Sequence, residues 1–167
     1  TYNVENVLET ISPSMDIQIA SNFERLIFDL NNHSDKKTIN VMESIKEKGK
    51  YAIQKDCLDK INVDFLSSRM DENEVLNTIK TVYEKFDKVL DPHSAIGYGA
   101  FDKVNLKGNN IVLATAHPCK FPDAIEKAIN IKADLPEELR FILDQKENYD
   151  IIENNLNKIK QHIKERI

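Results

Sequence analysis

Apolar residues recur along this chain mostly at helical spacing, and polar clusters cut the pattern into segments. Phe23, Leu26, Ile27 and Leu30 fall on one face, which predicts an amphipathic helix. Ser21-Asn-Phe-Glu24 has the spelling of a capping box, in which a hydroxyl and a carboxylate each satisfy a backbone donor. Asn31-Asn-His-Ser-Asp35 breaks that helix. A more polar helix is predicted over Thr38 to Lys48, with Val41, Met42 and Ile45 inward and Gly49 closing it. Tyr51 to Ile53 reads as a short strand, and Asp56 to Met70 carries only a weak stripe through Leu58, Ile61 and Phe65. Asp71 with Glu74 opens the strongest helix, with Val75, Leu76, Ile79, Val82, Tyr83 and Phe86 inward. Asp91-Pro92 opens another, an N-cap followed by proline at the first helical position. That helix is rich in small residues: Ser94, Ala95, Gly97, Gly99 and Ala100. Ile111 to Ala114 is a short apolar run that predicts a buried strand. Further helices are predicted over Pro122 to Asn130, Leu135 to Asp144 and Tyr149 to Arg166, the last striped by Ile152, Leu156, Ile159 and Ile163.

The predicted architecture is mostly helix with two or three strands, too few for a self-contained doubly wound sheet. The Ile111 run has no evident partner, and a strand apolar on both faces needs neighbours and covering helices. The chain also begins at Thr1 rather than methionine. Both features suggest part of a longer polypeptide. A length of 167 residues is nevertheless enough for one domain with a core. The formal net charge of −5 argues against a nucleic-acid partner, because phosphate binding needs a basic face. There is no apolar run of bilayer length and no charged-then-apolar leader. Cys57 and Cys119 match no metal or redox spacing. A cytoplasmic setting is the expectation.

Three polar clusters stand out: Ser12-Pro-Ser-Met-Asp16, Asp91-Pro-His-Ser-Ala-Ile-Gly97 and the Thr115-Ala-His-Pro118 stretch of the segment Asn110 to Phe121. The last follows the Ile111 run, and ligands of open α/β sheets bind at strand carboxyl ends. Each residue also has a plain structural reading. Thr115 suits a strand end bonding to local backbone, and His117 suits a turn before proline. Asp91 suits a helix cap, His93 a first-turn residue that packs or faces water, and Glu24 with Arg25 an exposed helix pair. No nucleophile stands beside a base, and His33, His93, His117 and His162 are too scattered to suggest a metal site.

The order and wording of the clusters go further. Thr10-Ile-Ser-Pro-Ser-Met-Asp-Ile17, Ser21-Asn-Phe-Glu-Arg-Leu-Ile-Phe28, Asp91-Pro-His-Ser-Ala-Ile-Gly97 and Ala114-Thr-Ala-His-Pro-Cys-Lys-Phe121 resemble, in this order, the C-terminal part of the threonine synthase family. The resemblance runs to about Glu138 and is weakest from Asn31 to Val63. It implies an α/β pyridoxal-phosphate enzyme of fold type II. On that reading, 1–167 is a single partial domain and 31–63 a variable surface insertion. The family converts O-phosphohomoserine and water to threonine and phosphate. A Ser or Thr hydroxyl faces the pyridine nitrogen in such enzymes, and Thr115 matches that position. Ser12, Ser14 and Asp16 would border the ring or substrate. Asn22 and Arg25 could reach the substrate carboxylate or phosphate. Asp91 and His93 would shape the pocket wall, with Gly97 permitting close approach and His117 supporting Thr115.

The family's Schiff-base lysine, in a Ser-Phe-Lys-Asp-like stretch, and its glycine-rich phosphate loop have no counterpart here. The chain alone is therefore expected to be inactive, to need the preceding part of its polypeptide, and to self-associate through apolar surface without it. The alternative is a non-catalytic helical interaction module or an inactive paralogue. Threonine dehydratases and cysteine synthases lack the Ser-Pro-Ser-Met-Asp and Thr-Ala-His-Pro-Cys-Lys-Phe wording.

Overall fold

Asp71 and Glu74 close the capping box that their spacing predicts. In a computed structural model describing residues 1–104 and 106–167, the Asp71 carboxylate accepts the Glu74 N–H at 2.9 Å. The Glu74 carboxylate accepts the Asp71 N–H at 2.8 Å. The helix this cap opens, α4 (Glu72–Phe86), follows three others: α1 (Ser21–Leu30), α2 (Asp35–Lys48) and α3 (Lys55–Asp64). Val75, Ile79 and Val82 form the buried face of α4, whereas Phe86 is exposed. Two further helices, α5 (Pro92–Val104) and α6 (Pro122–Ile129), pack against α4. Val75, Ile79, Ala95 and Ile125 make the centre of that core, with Met70, Leu90, Ile96 and Ala128 around it. The small residues of α5 now have one explanation. A Cβ on Gly99 would run into the Met70 thioether, so glycine admits that side chain.

Lys103 on α5 ties back to the same cap, its Nζ lying 2.6 Å from Glu74 Oε1. This hydrogen bond, then the one from the Asp71 backbone, holds the Glu74 carboxyl below its ordinary 4.5. A carboxyl with a lowered folded-state pKa stabilises the fold above its unfolded pKa and loses that contribution as pH falls through the folded one. Lys103→Met is therefore expected to lower the melting temperature slightly at neutral pH. The gap to wild type should close in the acid range below 4.5. Thermal melts across that range check it, and a gap that does not depend on pH would contradict it.

A second cluster joins α1 and α2 to the chain's sheet. Ile27, Val41 and Ile45 are its buried residues, with Tyr2, Phe23, Leu30 and Tyr51 packed on them. Strand β1 (Tyr2–Asn3) pairs antiparallel with β2 (Lys50–Tyr51), Tyr2 opposite Tyr51. Gly49 closes α2 in the left-handed conformation, at φ 66°, a backbone region that glycine enters without a Cβ penalty.

Several expectations need correction. Among the described residues the sheet has only those two short strands. Ile111 to Ala114 forms no ladder, and Ile111 and Leu113 are 89% and 74% exposed. A strand exists only by hydrogen bonding to a neighbour, and among the described residues none pairs with this run. The Ser21 capping box does not form. The N-cap is Ala20, in extended backbone, so Ser21 already lies inside the helix.

Thr1–Asp134 forms one compact unit and Leu135–Ile167 another. The second holds a 3-10 helix, Glu137–Asp144, where a short helix is expected. It ends in α7 (Leu156–Lys164), shorter than the predicted Tyr149–Arg166. Asn155 starts α7 late, its side chain accepting the Asn157 and Lys158 N–H groups at 3.0 and 3.2 Å. No helix among the described residues is long and apolar enough to cross a membrane.

Candidate functional site

The N-terminus of α5 is the junction of the site. Its first turn leaves backbone N–H groups without helical partners, and Asp91, 1% exposed, answers them. Oδ1 accepts the His93 N–H at 2.9 Å and the His93 Nδ1–H at 3.0 Å. Oδ2 accepts the Ser94 N–H at 3.3 Å and the Ser94 hydroxyl in a short hydrogen bond. Asp91 is thus the helix cap that its place before Pro92 predicts, and it also orders two polar side chains. His93 and Ser94 are themselves 6% and 2% exposed.

Each of those side chains reaches another cluster. His93 Nε2 accepts the Ser14 N–H at 3.2 Å. An imidazole nitrogen that accepts carries no hydrogen, so the ring holds its hydrogen on Nδ1 and points it at Asp91. Phe121 packs across the same ring, the centroids 4.7 Å apart. The Ser12–Asp16 segment is a 3-10 turn, Pro13–Met15, held by its own polar groups. Asp16 accepts the Thr10 N–H at 2.7 Å and the Thr10 hydroxyl at 2.8 Å. Thr10 Oγ1 lies 3.2 Å from the buried Ser12 hydroxyl.

On the other side, Ser94 Oγ accepts the Thr115 N–H at 2.9 Å. The Thr115 hydroxyl lies 3.5 Å from the same oxygen, too far for a strong bond. Thr115 is exposed and borders a cavity of about 370 Å³ with Met15, His93, Gly97 and Val112. A neighbouring cavity is lined by Asp91, Ser94, Ala114 and His117. His117 Nδ1 accepts the Cys119 N–H at 3.2 Å and caps the 3-10 turn Pro118–Lys120, as a turn histidine does.

The structure therefore joins Ser14, Asp91, His93 and Thr115 in one hydrogen-bonded chain, with Ser12 and Asp16 bracing its turn and His117 in an adjoining wall. It does not bring Asn22 and Arg25 to that chain. Both are exposed on α1, and Arg25 lines a depression with Ser21, Phe28, Asp29 and Thr38. Among the described residues, no cluster of His, Cys, Asp and Glu could hold a metal ion.

Three contributors escape a sequence reading. Ser94 counts there only as a small residue, although serine three positions after a capping aspartate can turn its hydroxyl to the cap. Thr10 carries the Asp16 bonds, and the spacing of six gives a faint loop signal. Phe121 meets His93 only through the fold.

A family model for the C-terminal region of threonine synthase matches residues 94–163. The threonine synthase of Pseudomonas aeruginosa is 33% identical over 165 residues, which cover 97% of this chain and 35% of the relative. That of Saccharomyces cerevisiae is 35% identical, covering 89% and 34%. Among solved structures, the pyridoxal-phosphate-bound threonine synthase from Brucella melitensis superposes with a TM-score of 0.82 at 36% identity, covering 98% of this chain and 36% of its own. The yeast enzyme gives 0.77 at 34% identity. By sequence and by structure the chain matches the C-terminal region of threonine synthases. It spans about a third of the length of the relatives it matches.

Proposed function

We propose that this chain is the C-terminal part of an enzyme that converts O-phosphohomoserine and water to threonine and phosphate with pyridoxal phosphate, and that Thr115 faces the ring nitrogen. The observation that carries this reading is the setting of Thr115. Its hydroxyl borders a cavity whose described lining residues include no carboxylate. Asp91, the nearest buried acid in the network, spends both oxygens on four donors. The residues fit a cofactor ring that meets a neutral hydroxyl. When bound, the cofactor supplies the carbanion chemistry, and the protein orients and tunes it. A hydroxyl does not stabilise a proton on the ring nitrogen as a carboxylate would. Thr115 therefore limits how much negative charge the ring draws off.

The remaining roles are those the family resemblance implies, set against where the residues lie. Ser12, Ser14 and Asp16 form the stiff turn beside His93, a wall for ring or substrate. Asp91 and His93 brace that wall through the Ser14 N–H, and His117 shapes the adjoining one. Arg25 and Asn22 present a cation and an amide to a substrate carboxylate or phosphate, in a place that the rest of the polypeptide would complete. That preceding part would supply the Schiff-base lysine and the phosphate loop. The exposed run Ile111-Val112-Leu113 is where it would dock, since contiguous exposed apolar surface marks an interaction site. Without it, self-association through this run is expected. Residues 31–63 pack on α1 through Val41 and Ile45. Among the described residues none of them bonds to the Asp91 network, as suits a family-variable insertion.

A pyridoxal-phosphate titration of this chain and of the full-length polypeptide carrying it, followed by absorbance, tests the reading. The full-length polypeptide is expected to form a borohydride-reducible cofactor band and to release threonine, and this chain to do neither. No band and no threonine from the full-length polypeptide would overturn it in favour of a non-catalytic interaction module.

A further inference from the structure

A serine hydroxyl has one hydrogen to give and two lone pairs to offer. Ser94, 2% exposed, gives its hydrogen to Asp91 and offers a lone pair to the Thr115 N–H at 2.9 Å. Both Asp91 oxygens already accept N–H groups, so the Ser94 hydroxyl is the donor and the direction of this relay is fixed. We propose that Ser94 is a positioning residue for Thr115. It pins the backbone of an otherwise exposed segment, in which Ile111 and Leu113 are mostly in solvent, to the buried start of α5. It also sends no hydrogen toward the Thr115 hydroxyl. At 3.5 Å from Ser94 Oγ the Thr115 hydroxyl hydrogen is only weakly engaged there, so it can turn to an acceptor in the cavity.

The neighbouring residues cannot substitute. Ala114 and Ala116 have no polar side-chain atoms, and His117 Nδ1 is engaged by the Cys119 N–H. His93 extends from the same aspartate toward Ser14. Asp91 thus ties the Ser12–Asp16 turn to α5 through one branch and Thr115 through the other. The Ser94 branch is the one that reaches the proposed cofactor partner, so its catalytic meaning rests on the function proposed above.

The test has two arms. In this chain, amide hydrogen exchange at Thr115 is followed by NMR, with the core amide of Ile79 as reference. Loss of one ordinary hydrogen bond predicts about tenfold faster Thr115 exchange in Ser94→Ala, with Ile79 unchanged. Ser94→Thr, which keeps the hydroxyl, should restore slow exchange. In the full-length polypeptide, Ser94→Ala should lower kcat about tenfold and shift the bound-cofactor absorbance, while KM for O-phosphohomoserine stays within about twofold. Ser94→Thr should rescue both. Unchanged Thr115 exchange in Ser94→Ala would overturn the proposal, as would wild-type kcat with a wild-type cofactor spectrum. If Ser94→Ala loosens Ile79 as well, Ser94→Thr decides: protection regained at Thr115 upholds the relay, and protection still lost in a folded chain overturns it. A full-length polypeptide that makes no threonine would sink the proposed function, yet the exchange arm would still report whether Ser94 holds Thr115.

Discussion

Thr115→Val in the full-length polypeptide is expected to lower turnover about a hundredfold, the order seen when a preorganised polar contact is removed from an active site. Valine keeps the branched shape and removes only the hydroxyl. That hydroxyl makes one contact in the structure, at 3.5 Å from Ser94, and it lies on an exposed residue. Folding should therefore lose less than about 1 kcal/mol, as for most substitutions away from buried networks. The backbone bond from Thr115 to Ser94 survives, because it uses the main-chain N–H. Thr115→Ser should restore most of the turnover. Steady-state kinetics and urea unfolding of the same samples separate the two effects. Wild-type turnover in Thr115→Val would remove Thr115 from the chemistry.

Asp91→Ala should have the opposite profile, with a large effect on folding. Loss of a helix N-cap costs about 1 kcal/mol. Here the cap is 1% exposed and accepts from four donors, and leaving buried donors unpaired costs about 1–3 kcal/mol more. The donors share one carboxylate, so their losses do not simply add. We expect about 3 kcal/mol in total, read as a lower urea midpoint at unchanged slope. Asp91→Asn should fall between, because its amide accepts at one oxygen and turns a donor toward groups that also donate. A loss below about 1 kcal/mol for Asp91→Ala would mean that the α5 terminus is held some other way, since a cap alone is worth that much.

Local chemistry was legible without the fold. The Asp71 box, the Asp91-Pro92 start and the Gly49 stop each depend on atoms within a few residues of one another, so their spelling suffices. The same holds for the faces of α2 and α4, where helical spacing alone sorts Val41, Ile45, Val75 and Ile79 inward. The cases that failed turn on something beyond the local window. Ser21 spells a cap, but extended backbone at Ala20 puts the helix start one residue earlier. Ile111 to Ala114 spells a strand, but a ladder needs a second chain segment, and among the described residues none pairs with it.

The sequence by itself determined most of the helices, the caps at Asp71 and Asp91, the stop at Gly49, the family resemblance and the candidate residues Ser12, Asp91, His93 and Thr115, because composition, spacing and motif wording are properties of the chain. Only the tertiary structure decided how those residues are used. Ser14 and His93 are 79 positions apart, and Ser94 and Thr115 are 21 apart. Their hydrogen bonds arise when α5 and α6 pack on α4 around Ile79 and Ile125. That packing buries Asp91, and a buried carboxylate must be matched by donors. The donors it recruits, His93 and Ser94, carry the order of one buried cap outward to two distant segments of the site.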